Sequence, residues 1–280
     1  MTKRLSTIIL IGIVLIGGIF YPEIFGEGES EDLEIHYIDV GQGDSILIKG
    51  SEKNMLIDAG SNSYSDHLID YLIAQNISQL DYVVATHPHE DHIGSMDEVI
   101  DYFQVDKVIM PDVIHTSMAF ENLIDSIERN NLTITAAQPG DTYDMSEAEA
   151  IILGPVSENY SSLNNYSVVI KLINGNNSFL FTGDAEKISE DDMLGHNYNI
   201  LNSDVLKLGH HGSSSSTSEE FIRAVDPEYG VISVGEGNRY GHPDWEIVDI
   251  LETNDIDYYR TDLDGTIILR SNGVDISIVK

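Results

Sequence analysis

The sequence predicts an α/β fold: an αββα four-layer sandwich, with two mixed sheets packed face to face and helices on their outer faces. Three observations carry this expectation. From Leu33 onward, short β-rich runs alternate with stretches of helical spacing, and these fall into two mixed halves of similar size. The halves share no fixed-period repeat, which excludes a solenoid. The composition, 41% hydrophobic and 22% charged, is that of a chain with a packed core.

In order along the chain, Leu33–Val40, Ser45–Ile48 and Asn54–Ile57 read as three strands joined by tight turns. Tyr64–Gln75 places Leu68, Leu72 and Ile73 at helical spacing, and Leu80–Ala85 reads as a buried strand. A helix is expected after Gly94, a strand at Lys107–Met110, a helix at Ser117–Glu128 and a strand at Leu132–Ala136. The second half predicts strands at Ala150–Leu153, Ser167–Ile173, Ser178–Thr182, Val205–Leu208 and Tyr229–Val234. Helices are expected at Ala185–Leu194, Ser218–Ala224 and Trp245–Thr253, then terminal strands at Asp257–Tyr259, Thr266–Leu269 and Val274–Ile278.

The N-terminus departs from this pattern. Lys3 and Arg4 precede an apolar run from Ile8 to Phe20, the charged-then-apolar order of an export signal or anchor. We therefore expect residues 1–25 to be a signal or anchor segment, 26–32 an acidic linker, and 33–280 the folded domain. The positive-inside rule then puts that domain outside the cytoplasmic membrane, tethered or secreted. A buried helix of the domain is the competing reading of the same segment.

The sequence has 14 basic against 48 acidic residues, a net charge of −34, which repels nucleic acid unless a local groove or a metal overrides it. We read this charge mainly as adaptation to a salty habitat. There are no cysteines, so thiolate metal sites, a cysteine nucleophile and disulfides are excluded; any metal must be held by nitrogen and oxygen.

One segment carries the chemistry. At the end of the strand reaching Ala85 stand His87, His89, Asp91 and His92, four ligand-type residues within six positions. Imidazoles and a carboxylate suit zinc, manganese or iron, and so short a loop divides more easily between two ions than it wraps one. An ordinary polar loop is the bland alternative, and it does not account for three histidines at a strand end.

His87-x-His89-x-Asp91-His92 matches the HxHxDH signature of the metallo-β-lactamase superfamily. Around it, Tyr37-Ile-Asp-Val-Gly-Gln-Gly-Asp44-Ser45, Leu56-Ile-Asp58-Ala-Gly60, Phe181-Thr-Gly-Asp184, Lys207-Leu-Gly-His210-His211-Gly212-Ser213 and Tyr240-Gly-His242-Pro resemble the soluble hydrolase domain of the ComEC competence-protein family. The resemblance runs from about Glu34 to the C-terminus. It implies a metallo-β-lactamase-type fold and a centre of two divalent cations, zinc or manganese, held by His87, His89, Asp91, His92, Asp184 and His210. Asp184 is implied to bridge the ions, Asp91 to orient the attacking hydroxide as well as ligate, and Asp58 to orient a ligand histidine. Of His210 and His211, one is expected to bind metal and the other to face substrate or support the ligands from behind; the superfamily pattern favours His210. Ser213 and His242 are expected near the substrate or behind the ligands, with an exposed turn as the bland reading of His242. Gly41–Ser45 reads as a hairpin turn near the site rim, since no helix follows it.

The sequence departs from the superfamily at one point: Leu163–Ser167 lacks the further histidine that many members carry there. The first site, His87, His89 and Asp184, is therefore expected to be the weaker one. His115 is the one histidine in the interval, and it reads as too far back to help.

Two cations and a bridging hydroxide suit ester hydrolysis. The resemblance tilts the expected substrate to phosphodiesters, single-stranded DNA first, with a small or lipid-linked phosphodiester as competitor. A lactone or β-lactam hydrolase and a metal-binding scaffold are the alternatives. No protein partner is indicated; membrane contact is expected through the N-terminal segment.

Overall fold

Apolar residues recur at every second position from Leu33, and that period is what builds the first sheet. The computed structural model describes residues 32–279. The expected signal or anchor segment lies outside them, as does almost all of the linker. Among the described residues no helix is long and apolar enough to cross a membrane.

Strands β1 (Leu33–Tyr37), β2 (Ile46–Lys49) and β3 (Asn54–Ile57) form an antiparallel meander. Helix α1 (Ser65–Ala74) crosses to β4 (Gln79–Val84), which runs parallel to β3. The short α2 (Glu90–Ile93) and α3 (Met96–Tyr102) lead to β5 (Gln104–Met110), and α4 (Met118–Arg129) leads to β6 (Ile134–Ala136), both strands joining in parallel.

The second sheet begins with the antiparallel strands β7 (Thr142–Asp144), β8 (Glu149–Gly154), β9 (Val169–Asn174) and β10 (Asn177–Phe181). Three parallel strands follow: α5 (Lys187–Asn197) precedes β11 (Val205–Lys207), α6 (Glu219–Val225) precedes β12 (Tyr229–Ile232), and α7 (Trp245–Thr253) precedes β13 (Asp257–Arg260). After the one-turn α8 (Thr261–Asp264), β14 (Ile267–Ser271) and β15 (Ile276–Val279) return to the first sheet, β14 pairing with β1. The sheet orders are β15-β14-β1-β2-β3-β4-β5-β6 and β13-β12-β11-β10-β9-β8-β7.

The layers follow from the strand period. Leu33, Ile35 and Tyr37 of β1, with Ile46 and Ile48 of β2, face Ile152, Ile170, Phe179 and Phe181 of the other sheet. Leu47 and Leu56 point the opposite way, into a core closed by Leu68, Val99 and Leu123 of the helices. The second sheet's outer face packs on Met193, Phe221 and Leu251. These three apolar layers make the αββα sandwich that the sequence predicts.

Three short elements went unforeseen. β7, α2 and α8 span too few residues for a period to show, and contacts made elsewhere in the fold fix them.

Candidate metal centre

Asp58, the His87–His92 loop, Asp184, the His210–His211 pair and His242 all leave the C-terminal ends of parallel or neighbouring strands, where an open α/β sheet exposes backbone and side chains to a ligand. The loops from both sheets converge there. Gly43, between β1 and β2, has φ +138° and lies so close to the metal-type loop that an added Cβ would stand 2.1 Å from the Asp91 carbonyl oxygen. That close approach seats the Asp44 N–H on the Asp91 oxygen at 3.2 Å. Gly183, at φ +52°, turns the end of β10 over Thr86 and delivers Asp184 to the centre.

Asp184 is the hub. Its Oδ2 lies 3.2 Å from His92 Nε2, 3.7 Å from His87 Nε2 and 3.8 Å from His210 Nε2, and its Oδ1 lies 3.6 Å from His211 Nε2. The Asp184 N–H donates to Ser167 Oγ at 3.0 Å, which fixes the carboxylate from behind. His87 and His89 bring ring nitrogens within 2.9 Å of each other, and Asp91 Oδ2 stands 3.5 Å from His211 Nε2.

Behind these groups lies a supporting layer. Asp58, in left-handed backbone at φ +57°, accepts from His92 Nδ1 at 2.8 Å, from the Thr86 N–H at 2.8 Å and from the Thr86 hydroxyl at 2.7 Å. The His92 ring is thereby oriented with Nε2 toward Asp184, the arrangement by which a carboxylate supports a ligand histidine. Asp44 and Lys207 form a fully buried ion pair, and Lys207 Nζ also donates to the Gly183 carbonyl at 3.0 Å. Asp44 lies 3.4 Å from His211 Nδ1 and 3.8 Å from His92 Nδ1, on the far side of both rings from Asp184. Proximity alone would group Asp44 with His92, Asp184 and His211 as a cation site. The ammonium of Lys207 against its carboxylate makes it a poor place for a second cation, so we read Asp44 as support.

The two histidines of the pair sit differently. His211 is buried: its Nδ1 donates to the Ser233 carbonyl at 2.9 Å, and Nε2 points at Asp184 and Asp91. His210 stands at the mouth, its Nδ1 2.9 Å from Ser215 Oγ. Both residues adopt left-handed backbone, φ +49° and +56°, which splays the two rings apart. Two successive strained non-glycine residues cost about 1–3 kcal/mol each, a cost that persists where the site over-determines them. Ser213 does not line the cleft; its Oγ lies 3.1 Å from Ser215 Oγ, one step behind His210.

His242 lies at the rim, its ring 5.9 Å from that of His210 and its Nδ1 3.1 Å from Asp244 Oδ1. Gln42 lines the same cleft of about 630 Å³, as expected for a turn at the rim. The Leu163–Ser167 stretch arrives beside the centre too. Asn164 is buried, with Oδ1 lacking a hydrogen-bond partner and Nδ2 3.4 Å from the His210 ring nitrogens. His115 comes closer than its sequence position suggested, its ring edge-on to His89 at 6.4 Å.

The electrostatics divide the histidines. Burial, followed by the charge of His92, holds His87 well below the ordinary imidazole value, and the same causes lower His89; burial lowers His210. These three are neutral ligand-type imidazoles at neutral pH. For His92, burial acts against protonation but the Asp184 and Asp58 carboxylates outweigh it and raise it well above its usual value. His211 is pushed up to about 9 against burial, by Asp184, Asp44 and Asp91. Asp184 and Asp91 remain ionised: burial would raise both, and the neighbouring histidines, His211 and His92 foremost, bring both below the usual carboxylate range.

The residues fit divalent cations on an independent count. His92 Nε2, His211 Nε2 and Asp184 Oδ1 are buried, converge on one point and have no hydrogen-bond partner. Buried polar atoms are almost always paired, so convergent orphans of ligand type mark a place where a charged group belongs. His87, His89 and Asp184 form a second set with ligand atoms within 4.8 Å of one another.

Sequence reasoning passed over Asp44, Lys207, Thr86, Ser167 and Arg239 as site residues. Lys207 gave a signal: a lysine inside the apolar strand run Val205–Leu208 calls for a buried acid.

This geometry defines a class, proteins with an imidazole–carboxylate centre at the edge of two face-to-face mixed sheets. The chain belongs to the Metallo-beta-lactamase superfamily, whose family model matches residues 38–236. It is 33% identical over 268 residues to ComE operon protein 3 of Bacillus subtilis (strain 168), covering 89% of this chain and 34% of that protein. It is 29% identical to Competence protein ComA of Neisseria gonorrhoeae, covering 91% of this chain and 34% of that protein. The chain thus spans about a third of the length of these relatives. The fold also matches the metallo-beta-lactamase fold protein YhfI from Bacillus subtilis, with TM-score 0.58 and 12% identity over 86% of this chain and 100% of that one.

Proposed function

We propose that this chain is a two-metal phosphodiesterase acting on nucleic-acid strands, single-stranded DNA first. The observation that carries the reading is the position of Asp184, with oxygens within 3.7 Å of imidazoles from both candidate ligand sets. In this reading His87, His89 and Asp184 hold one cation, and Asp91, His92, Asp184 and His211 the other. The expected ligand at His210 passes to His211, because His211 has the buried, unpartnered Nε2.

Divalent cations bound there, zinc or manganese, supply the acidity that makes water nucleophilic at neutral pH and the positive charge that offsets the developing anion. The chain's own groups do the rest. Asp91, ionised and partly exposed to the cleft, accepts a hydrogen bond from the attacking water and aligns it. His210 and His242, 5.9 Å apart at the mouth, offer N–H donors to the non-bridging phosphoryl oxygens. Asp58 and Asp44 hold the ligand rings in place.

A phosphodiester is favoured over a lactam or lactone by the donors around the mouth: Gln42, Ser61, Ser63, His210, Arg239 and His242 line the cleft. The competence names of the relatives point the same way. The test is hydrolysis of bis(p-nitrophenyl) phosphate and a single-stranded oligonucleotide under Mn²⁺ or Zn²⁺, beside nitrocefin and an acyl lactone. Phosphodiester turnover that is abolished by chelator and exceeds the others supports the reading. Faster nitrocefin or lactone turnover overturns it, and fewer than one bound ion per chain with no turnover leaves a scaffold.

A further inference from the structure

Arg239 is anomalous in so acidic a chain. Arg129, Arg223, Arg260 and Arg270 each pair with a carboxylate, whereas Arg239 has no ion-pair partner among the described residues. It is exposed at the mouth of the cleft, and among the described residues lining that cleft it is the one Lys or Arg. Its guanidinium lies 4.8 Å from the Tyr240 ring centroid and donates to the Tyr240 hydroxyl at 2.6 Å. Tyr240 is itself 51% exposed, and its ring lies parallel to that of His242, with an interplanar angle of 10° and centroids 5.7 Å apart.

The loop that presents the pair is cross-linked by hydrogen bonds. Asn238 Oδ1 accepts from the N–H groups of Tyr240 at 3.1 Å and His242 at 3.0 Å, while its Nδ2 donates to the carbonyls of Gly235 at 3.1 Å and His242 at 2.7 Å. Asp244 ties the far end to the Ser214 N–H at 2.8 Å, and Gln42 Oε1 accepts from the Gly235 N–H at 3.2 Å. A preorganised loop that holds a planar ring in water beside an unpaired guanidinium suits a planar, anionic ligand, since little ordering remains to be done on binding.

We propose that Arg239 and Tyr240 form a clamp for a single nucleotide flanking the scissile phosphodiester. Arg239 takes the neighbouring, uncleaved phosphate, and Tyr240 stacks the base, with His242 continuing the stack toward the centre. This rests on the phosphodiesterase reading and narrows it. With one basic side chain of the Lys or Arg type among the described residues lining the cleft and a net charge of −34, recognition is confined to one or two nucleotides of a flexible single strand rather than a duplex footprint.

The test uses the manganese-loaded full chain with the dinucleotide pTpT, with TpT lacking the terminal phosphate, and with the two pTpT analogues in which one thymine is replaced by hydrogen. Binding of phosphorothioate pTpT is measured calorimetrically in parallel. We expect removal of one of the two bases to raise KM on the order of tenfold, the range of one base–aromatic stack. Tyr240→Ala should erase that difference, and Tyr240→Phe should restore it. Arg239→Gln should raise KM for pTpT and leave little further difference between pTpT and TpT. Turnover of pTpT with no dependence on either base or on Tyr240 overturns the clamp and spares the phosphodiesterase reading. Tyr240-dependent binding without turnover overturns the phosphodiesterase reading and reduces the clamp to a nucleotide-binding site, and neither binding nor turnover overturns both.

Discussion

The Nδ1–H of His211 donates to the Ser233 carbonyl oxygen at 2.9 Å, and this one bond decides which histidine of the pair faces the metal-type centre. Committing Nδ1 to the backbone leaves Nε2 as the free ligand atom, aimed at Asp184 and Asp91. His211→Ala is therefore expected to lose one equivalent of tightly held metal, whereas His210→Ala retains its metal and is impaired in turnover. Metal analysis of the two purified variants checks this; equal metal loss from both would return the ligand role to His210.

Much of this was legible in the sequence, and the exception is instructive. The HxHxDH run could be read because it closes a buried strand with four ligand-type residues, and Asp58 and Asp184 could be read through the motifs that resemble the family. The order within His210–His211 could not, because it depends on two left-handed backbone angles and on the carbonyl of Ser233, just past the end of β12, a neighbour in space and not in sequence. The Asp44–Lys207 pair was half legible, as a lysine out of place in an apolar strand. Tyr240 stood in a motif without a role and Arg239 beside it, since exposure and the lack of a carboxylate partner are properties of the folded surface. The fold itself was legible nearly throughout, apart from elements as short as β7.

Asp58 holds His92 through a 2.8 Å bond and touches no substrate. Asp58→Asn keeps the shape but weakens the charge that orients the ring. Metal affinity should fall roughly 10–100-fold, the usual cost of losing such a supporting carboxylate. Titration against a fluorescent chelator measures it, and an unchanged affinity would contradict the supporting role.

The buried Asp44–Lys207 pair gives a stability prediction. Lys207→Met leaves the Asp44 carboxylate buried without its ammonium, a loss of about 3–5 kcal/mol. Adding Asp44→Leu removes the stranded charge and should recover part of that loss. Urea unfolding of the metal-free single and double variants decides it: a double variant less stable than Lys207→Met would show that Asp44 serves chiefly another partner.

Protons and metal compete for His92 and His211. An unfolded imidazole titrates near 6.5, while His211 in the fold lies at about 9 and His92 is also raised. Raised values stabilise the metal-free fold fully below about pH 6.5 and lose that contribution as the pH climbs through about 9. The melting temperature of the chelator-treated protein should therefore fall across this window, and metal affinity should rise as the competing protons leave. The metal-loaded protein should show a flatter profile. A melting temperature of the metal-free protein that rises from pH 6.5 to 9 would count against the assignment.

The two ions should also leave separately. The first set has His87, His89 and Asp184, and the place of a further histidine is taken by Leu163–Ser167, where Asn164 presents a buried amide oxygen without a hydrogen-bond partner. In the two-metal reading the second set has Asp91, His92, Asp184 and His211. An amide oxygen is a weaker donor than an imidazole toward zinc and a better match to manganese. A graded chelator should thus remove one ion well before the other. Asp91→Ala should chiefly cost the tightly held ion, and Asp184→Ala, which touches both sets, should release both and lower turnover by roughly 100-fold or more. His87→Ala should cost little beyond the ion that is already weakly held. Asn164→His restores an imidazole at the weak set, so the early ion should become slower to leave and shift its preference toward zinc. Two ions leaving together from the unmodified chain, with Asn164→His making no difference, would mean that the first set is already complete and that its remaining ligand lies elsewhere in the cleft.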